Sequence, residues 1–177
     1  FAALAAADFR RGFSTHGRQA NSPRVASATP RVVVFIMCNP SKADPHDNDP
    51  TLTRCEDFAC KLGASELIVV NLFAYRDKDV KALERVRNPI GPLNDWALDW
   101  TRRSAIQRKS VKFDFIAAWG SASKLSAKFR RDVFLPQHAK AYGLLRPMPL
   151  LHLGLTESGE PRHPLYLASS TKPEVWV

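Results

Sequence analysis

The segment "FIMCNPSKADPHDNDPT" (35–51) begins apolar and turns abruptly polar at Asn39-Pro40-Ser41. A carboxamide such as that of Asn39 carries both donors and an acceptor. Pro40 fixes its own φ and biases Asn39 toward an extended backbone. A rigid amide at a strand end can hold a water or read the polar edge of a ligand; an Asx-turn that only closes the loop uses the same residues. Asp44, His46, Asp47 and Asp49 have the composition of a metal cluster. Asp44, however, precedes Pro45 as in a turn, and Asp49 precedes Pro50 as a helix cap does. Turn and cap account for the pattern, so neither a metal nor a cofactor is assigned. In "PRHPL" (161–165) prolines stiffen the chain on both sides of His163, and Arg162 stands beside it. A fixed imidazole near a crevice can donate to a developing anion or to phosphate; a stiff surface histidine is the alternative. His138 and His152 lie in apolar sequence and read as structural. No G-x-S-x-G, Walker loop or G-x-G-x-x-G occurs, which removes the nucleotide and hydrolase sites built on those motifs.

These residues need elements to position them. "VVVFIMC" (32–38), "ELIVVNLF" (66–73), "FDFIAAW" (113–119) and "MPLLHLG" (148–154) are apolar runs of the kind that form strands covered on both faces. Between them come helical patterns. "TLTRCEDFACKLG" puts Leu52, Cys55, Phe58 or Ala59, and Leu62 on one stripe, with Gly63 as the stop. "DKDVKALERV" reads as a short helix, "DWALDWTRRSAIQR" as a helix through Trp96, Trp100 and Ser104, and "SKLSAKFRRDVF" as a basic helix. Strand alternating with helix predicts a four-stranded, mostly parallel sheet between helices, a three-layer α/β sandwich. Ligands in such folds sit beyond the carboxyl ends of the strands. The polar breaks fall there: Asn39-Pro40-Ser41, Asn71, and Trp119-Gly120-Ser121.

A chain of 177 residues is most simply one domain. Residues 32–177 read as that domain, with 1–31 a basic lead-in holding an edge strand from about residue 13. No apolar run reaches the roughly 20 residues of a membrane span. Cys38, Cys55 and Cys60 form no paired framework and read as small core or near-core residues of a reducing compartment. The net charge of +9 is uneven. Residues 101–131 hold nine bases against Asp114 alone: Arg102, Arg103, Arg108, Lys109, Lys112, Lys124, Lys128, Arg130 and Arg131. That density predicts a surface for a polyanion, DNA or RNA, unless it is simply a solvated helix face. The Ala-, Arg- and Ser-rich start resembles a mitochondrial transit peptide. The location expected is mitochondrial in a eukaryote and cytoplasmic otherwise.

In order along the chain, "FIMCNPSKAD", "DNDPTLTRC", "VVNLFAYR", "NPIGPLND", "AAWG" and "PRHPLYL" resemble the domain of unknown function 1643 family. The resemblance runs from about Phe13 to Trp176, with Cys38 where Leu is more usual. The family's layout is in turn similar to the uracil-DNA glycosylase superfamily. That likeness implies that Asn39 positions an attacking water and that His163 stabilises a departing base as an anion. Pro40, Ser41, Asp44, Asn71, Phe73, Trp119, Gly120 and Arg162 would line the pocket, with Phe73 or Trp119 stacking on the base. Phosphates would fall to Arg102, Arg103, Arg108, Lys109, Lys124, Lys128, Arg130 and Arg131. Leu165 and Tyr166 replace the Ser-Pro and wedge residue of typical glycosylases. Two functions are therefore expected: base or nucleotide recognition with N-glycosylase-like hydrolysis unproven, or a non-catalytic RNA-binding part of a mitochondrial ribonucleoprotein such as the ribosome.

Overall fold

The computed structural model describes residues 7–11, 29–41 and 49–176. The four apolar runs form parallel strands: β2 (Arg31–Met37), β3 (Glu66–Asn71), β4 (Lys112–Ala117) and β5 (Leu150–His152). Two antiparallel strands, β1 (Ala7–Arg11) and β6 (Glu174–Val175), add to the edges, giving the order β1-β3-β2-β4-β5-β6. The sheet is mostly parallel, as the apolar runs predict, but six strands wide instead of four. β6 escapes sequence reading because a two-residue strand has no period to detect. β1 precedes the expected start near residue 13, most of the lead-in lying outside the described residues.

Alternation along β2 divides the core. Val32, Val34 and Ile36 face one side with Leu98, Ala141 and Leu145; Val33, Phe35 and Met37 face the other with Cys55, Phe58 and Ala59. The first three partners belong to α2 (Asn94–Gln107) and α4 (Leu135–Leu145), and the last three to α1 (Pro50–Lys61). The sheet is thus sandwiched between two helical layers. Each fully buried side chain of Leu or Phe size contributes about 1.5–3 kcal/mol.

Helix α1 forms where the sequence places it. The Asp49 carboxylate accepts from the backbone N–H groups of Thr51 and Leu52, and Pro50 occupies the first turn. Helix α2 is rotated from the predicted stripe. Its buried face is Asn94, Ala97, Leu98, Thr101 and Ser104, and Trp96 is 64% exposed. Polar residues can occupy that face because backbone carbonyls receive them: Thr101 donates to Leu98, and Asn94 to Asn71 and Leu72. "DKDVKALERV" becomes a 3₁₀ turn, Val80–Arg85, capped by Asp79.

The basic helix begins as α3 (Ala127–Phe129), widens into a π-helical stretch (Arg130–Phe134) and continues as α4. Leu135 N–H reaches back five residues to Arg130, and Pro136 has no N–H to offer the next carbonyl. No helix among the described residues is long and apolar enough to cross a membrane. Because β2 to β5 run in parallel, all four end at one edge, here the head; Glu66 and Lys112 mark the foot.

Candidate functional site

Asn39 follows β2 at the head. Its Nδ2 donates to the carbonyls of Asp77 (2.8 Å), Pro40 (3.3 Å) and Tyr75 (3.4 Å). The amide is therefore oriented: its nitrogen braces the loop after β3, and Oδ1 is turned away from those carbonyls. Pro40 joins the same brace, accepting from Asp77 N–H at 3.0 Å. The loop is clamped again from behind. Ala74 and Tyr75 donate to Ile90 and Pro89 at 3.1 Å each. Gly91, at φ +80°, comes so near Ala74 that a Cβ there would lie 2.9 Å from Ala74 Cβ. The spacing of "VVNLFAYR" and "NPIGP" is accounted for by this clamp.

Asn71 ends β3 beside Met37. By alternation it points with Leu67 and Val69 toward the α1 layer. It is 6% exposed, and its carboxamide makes no hydrogen bond among the described residues. Among those residues Asn94 Oδ1 is the side-chain polar atom that is both sealed and unpartnered, so the Asn71 amide keeps an opening to solvent. Buried polar groups are normally paired, and one that is not marks a place where a water or ligand fits.

His163 sits next to the end of β4. A Cβ on Gly120, at φ +78°, would stand a tight 3.2 Å from the His163 Cβ, and that left-handed backbone itself favours glycine. Nδ1 accepts from Leu165 N–H at 3.3 Å, which leaves the proton of a neutral ring on Nε2. Burial lowers the His163 pKa, and the negative charge of Asp49 works in the other direction. Asp49 ties the two halves together. Burial opposes its ionisation, but the hydroxyl of Ser41 and the N–H groups of Thr51 and Leu52 outweigh that and lower its pKa. Ser41 thus contacts Asp49, and Asp49 acts on His163, linking the ends of neighbouring strands β2 and β4. Arg54 fixes this layout from α1, donating to the Leu167 carbonyl just after the histidine turn. Asp49 and Arg54 explain the "DPTLTR" motif as scaffolding for the turn.

Three expected lining residues are placed differently. Phe73 is fully buried, its ring 5.9 Å from that of Phe134 and 6.2 Å from that of Phe129. Trp119 is 6% exposed and enclosed by His138 (4.9 Å) and Trp176 (5.3 Å). Neither ring presents a face for stacking; both were apolar enough to be drawn into the α4 layer. Arg162 is exposed, its stem against Gly154, and Asp44 lies outside the described residues. The aromatic that does flank the histidine is Tyr166, 76% exposed, with its ring 5.7 Å from His163. Sequence reading missed it, although a 3₁₀ turn (Pro164–Tyr166) sets residues three apart on one side.

The other polar candidates are structural. His152 Nδ1 accepts from Gly154 N–H at 2.8 Å, and His138 stacks on Trp176. Burial pushes the Cys38 thiol up to about 12 and raises Cys55 further still, which removes both as nucleophiles.

The cationic stretch does not form one surface. Arg102 and Arg103 share Asp99, Arg108 meets Glu66 at 2.9 Å and lies over Phe113, and Lys112 is 3.6 Å from Asp114. Arg108 and Lys112 are at the foot. Lys124, Lys128, Arg130 and Arg131 follow β4 at the head, a strand length of about 20 Å away. Counting acids only inside 101–131 overlooked Asp99 and Asp132 just beyond its limits, and Glu66 across the sheet.

The family model described as "Protein of unknown function (DUF1643)" matches residues 23–165. No curated protein and no solved structure matches.

Proposed function

The chain belongs to the DUF1643 family of proteins of unknown function, and from the polar groups at its strand ends we propose that it is nucleic-acid-associated, with a uracil-DNA-glycosylase-like pocket for a nucleobase or nucleotide. The observation that carries this reading is the nearly buried carboxamide of Asn71, unpartnered among the described residues. One amide offers an adjacent donor and acceptor, the pattern that matches the edge of a base. His163, neutral with its proton on Nε2, supplies a second donor, and Tyr166 an aromatic face beside it.

The same groups fit N-glycosidic hydrolysis. Oδ1 of the braced Asn39 can accept from a water and aim its oxygen at the sugar C1′. As the C1′–N bond breaks, its electron pair leaves on the base, and Nε2–H of His163 stabilises that anion. The water's oxygen bonds to C1′, and its proton is released to solvent. An amide is too weak a base to deprotonate water, so Asn39 would act by position.

The test is an incubation with oligonucleotides containing uracil or other altered bases, read as abasic sites, alongside titration of free nucleobases by NMR. The reading expects shifts at Asn71 and His163, and loss of any cleavage in Asn39→Ala. Cleavage that survives Asn39→Ala would remove this site. The second reading, a non-catalytic RNA-binding component of a mitochondrial ribonucleoprotein, is favoured by the exposed cations at the head. It expects RNA binding indifferent to Asn39→Ala.

A further inference from the structure

We infer that a single nucleic-acid strand is gripped through its phosphates by the 78–87 turn and the start of the basic helix at the head, and not by the cations of α2 and the foot. This rests on the reading of the strand-end cluster as a nucleotide pocket.

Two segments far apart in sequence form this surface. The turn Val80–Arg85 and the helix start at Ala127 are locked by the Glu84 carboxylate, which accepts from Ser126 N–H at 2.8 Å. Beneath them Leu83, Leu125, Phe129 and Phe134 pack in one cluster with Phe73. The buried Phe73 ring supports the helix start, 6.2 Å from the ring of Phe129 and 5.9 Å from that of Phe134, in the cluster that also holds Leu83 of the turn. Over 76–87 and 121–132 the chain carries nine bases against four acids. The acids are occupied. Asp77 and Asp79 accept from backbone N–H groups, Glu84 holds Ser126, and Asp132 is shared by Lys128 and Arg131.

Lys78, Arg87, Lys124 and Arg130 are exposed and form no ion pair among the described residues, while Lys81 and Arg85, also exposed, are attracted only by the charge of neighbouring Glu84. Around α2 and the foot, by contrast, Lys109 alone of the predicted five is unpaired among those residues. A carboxylate-neutralised cation has little left to offer a phosphate; an unpaired one releases the strand's counterions on binding. The surface also adjoins the pocket. Asn39 holds the Asp77 carbonyl, the residue before Lys78, and Arg76 reaches from the same loop to the Ser41 carbonyl at 3.2 Å. A strand lying along the head cations would deliver a base to Asn71 and His163. Nothing among these contacts reads the sugar, so DNA and RNA strands should bind alike.

The experiment is fluorescence anisotropy of labelled oligo(dT) and oligo(U) over a salt series, with matched melting curves for every variant. The quadruple variant K78A/R85A/K124A/R130A should weaken binding at least tenfold at moderate salt. It should also flatten the slope of log K against log salt by about 3, since each single-strand phosphate contact contributes about 0.7. R102Q/R103Q/K109Q should stay within twofold of the wild type. If that triple variant is the one that loses affinity, the strand lies elsewhere and this inference falls while the pocket reading stands. Wild-type binding of polyglutamate or anionic vesicles as tight as that of the oligonucleotides would overturn the nucleic-acid occupant. A wild type that ignores both strands yet shows nucleobase shifts at His163 overturns this surface alone; absence of both overturns surface and pocket together.

Discussion

At the foot of the sheet Arg108 meets Glu66, Arg31 and Lys112 share Asp114, and Arg31 also donates to the Leu62 carbonyl. At the head, the Asn71 carboxamide is unpartnered among the described residues, and Lys78, Arg87, Lys124 and Arg130 pair with no acid there. The residue types differ little between the two ends, but their partners do. These foot charges are used up in joining strands to one another and to helix ends. Head charges and amides are held in place by other groups and left available. Availability, rather than charge density along the chain, is what would separate a structural cation from one of the proposed recognition surface.

The contrast can be broken first at the buried Phe73 ring. Phe73→Ala should cost about 3–5 kcal/mol of stability, as large aromatic truncations do, read by urea denaturation. Because it opens a cavity beneath the helix start, it should also weaken strand binding at temperatures where the fold persists. A loss of stability with strand affinity untouched would detach that ring from the binding surface.

Arg108→Ala probes the opposite end. Glu66 is 7% exposed and loses its partner, so a cost of about 1–3 kcal/mol is expected for an acceptor left unsatisfied, reduced by the solvent that reaches the arginine. Oligonucleotide affinity should not change. If it falls, the foot is not purely structural.

Acidification has the smallest expected effect. His163 and His138 both have pKa values lowered by burial, so the unfolded chain takes up protons that the folded one refuses. Their neutral forms stabilise the fold fully above the ordinary histidine value of about 6.5. That contribution is lost as pH falls through this value toward the lowered folded pKa. Melting temperature should drop between pH 7.5 and pH 5.5, and the drop should shrink in the double variant H138Q/H163Q. An unchanged drop would place the acid sensitivity in other groups.

Much of this was legible in the chain itself. Val32–Met37 and Leu67–Val70 are apolar on both faces, which only a covered strand tolerates, and Asp49-Pro50 marks a helix start through local chemistry. Asn39, Asn71 and His163 were legible as polar breaks in such runs. Their roles were not. The Asn39 brace depends on carbonyls 36 and 38 residues away, and Tyr166 gains its place from a turn too short to leave a period.

By itself, then, the order of residues determined whatever depends on neighbours in the chain: four buried strands, the capped α1, the polar ends of β2 and β3. The tertiary structure decided which cations were neutralised, which aromatics were enclosed and which amide was left without a partner among the described residues. The reason is physical. Propensity and burial pattern act over a few residues, whereas the value of a charge or a ring face is set by what lies within a few ångströms, and in a parallel sheet those neighbours come from distant parts of the chain.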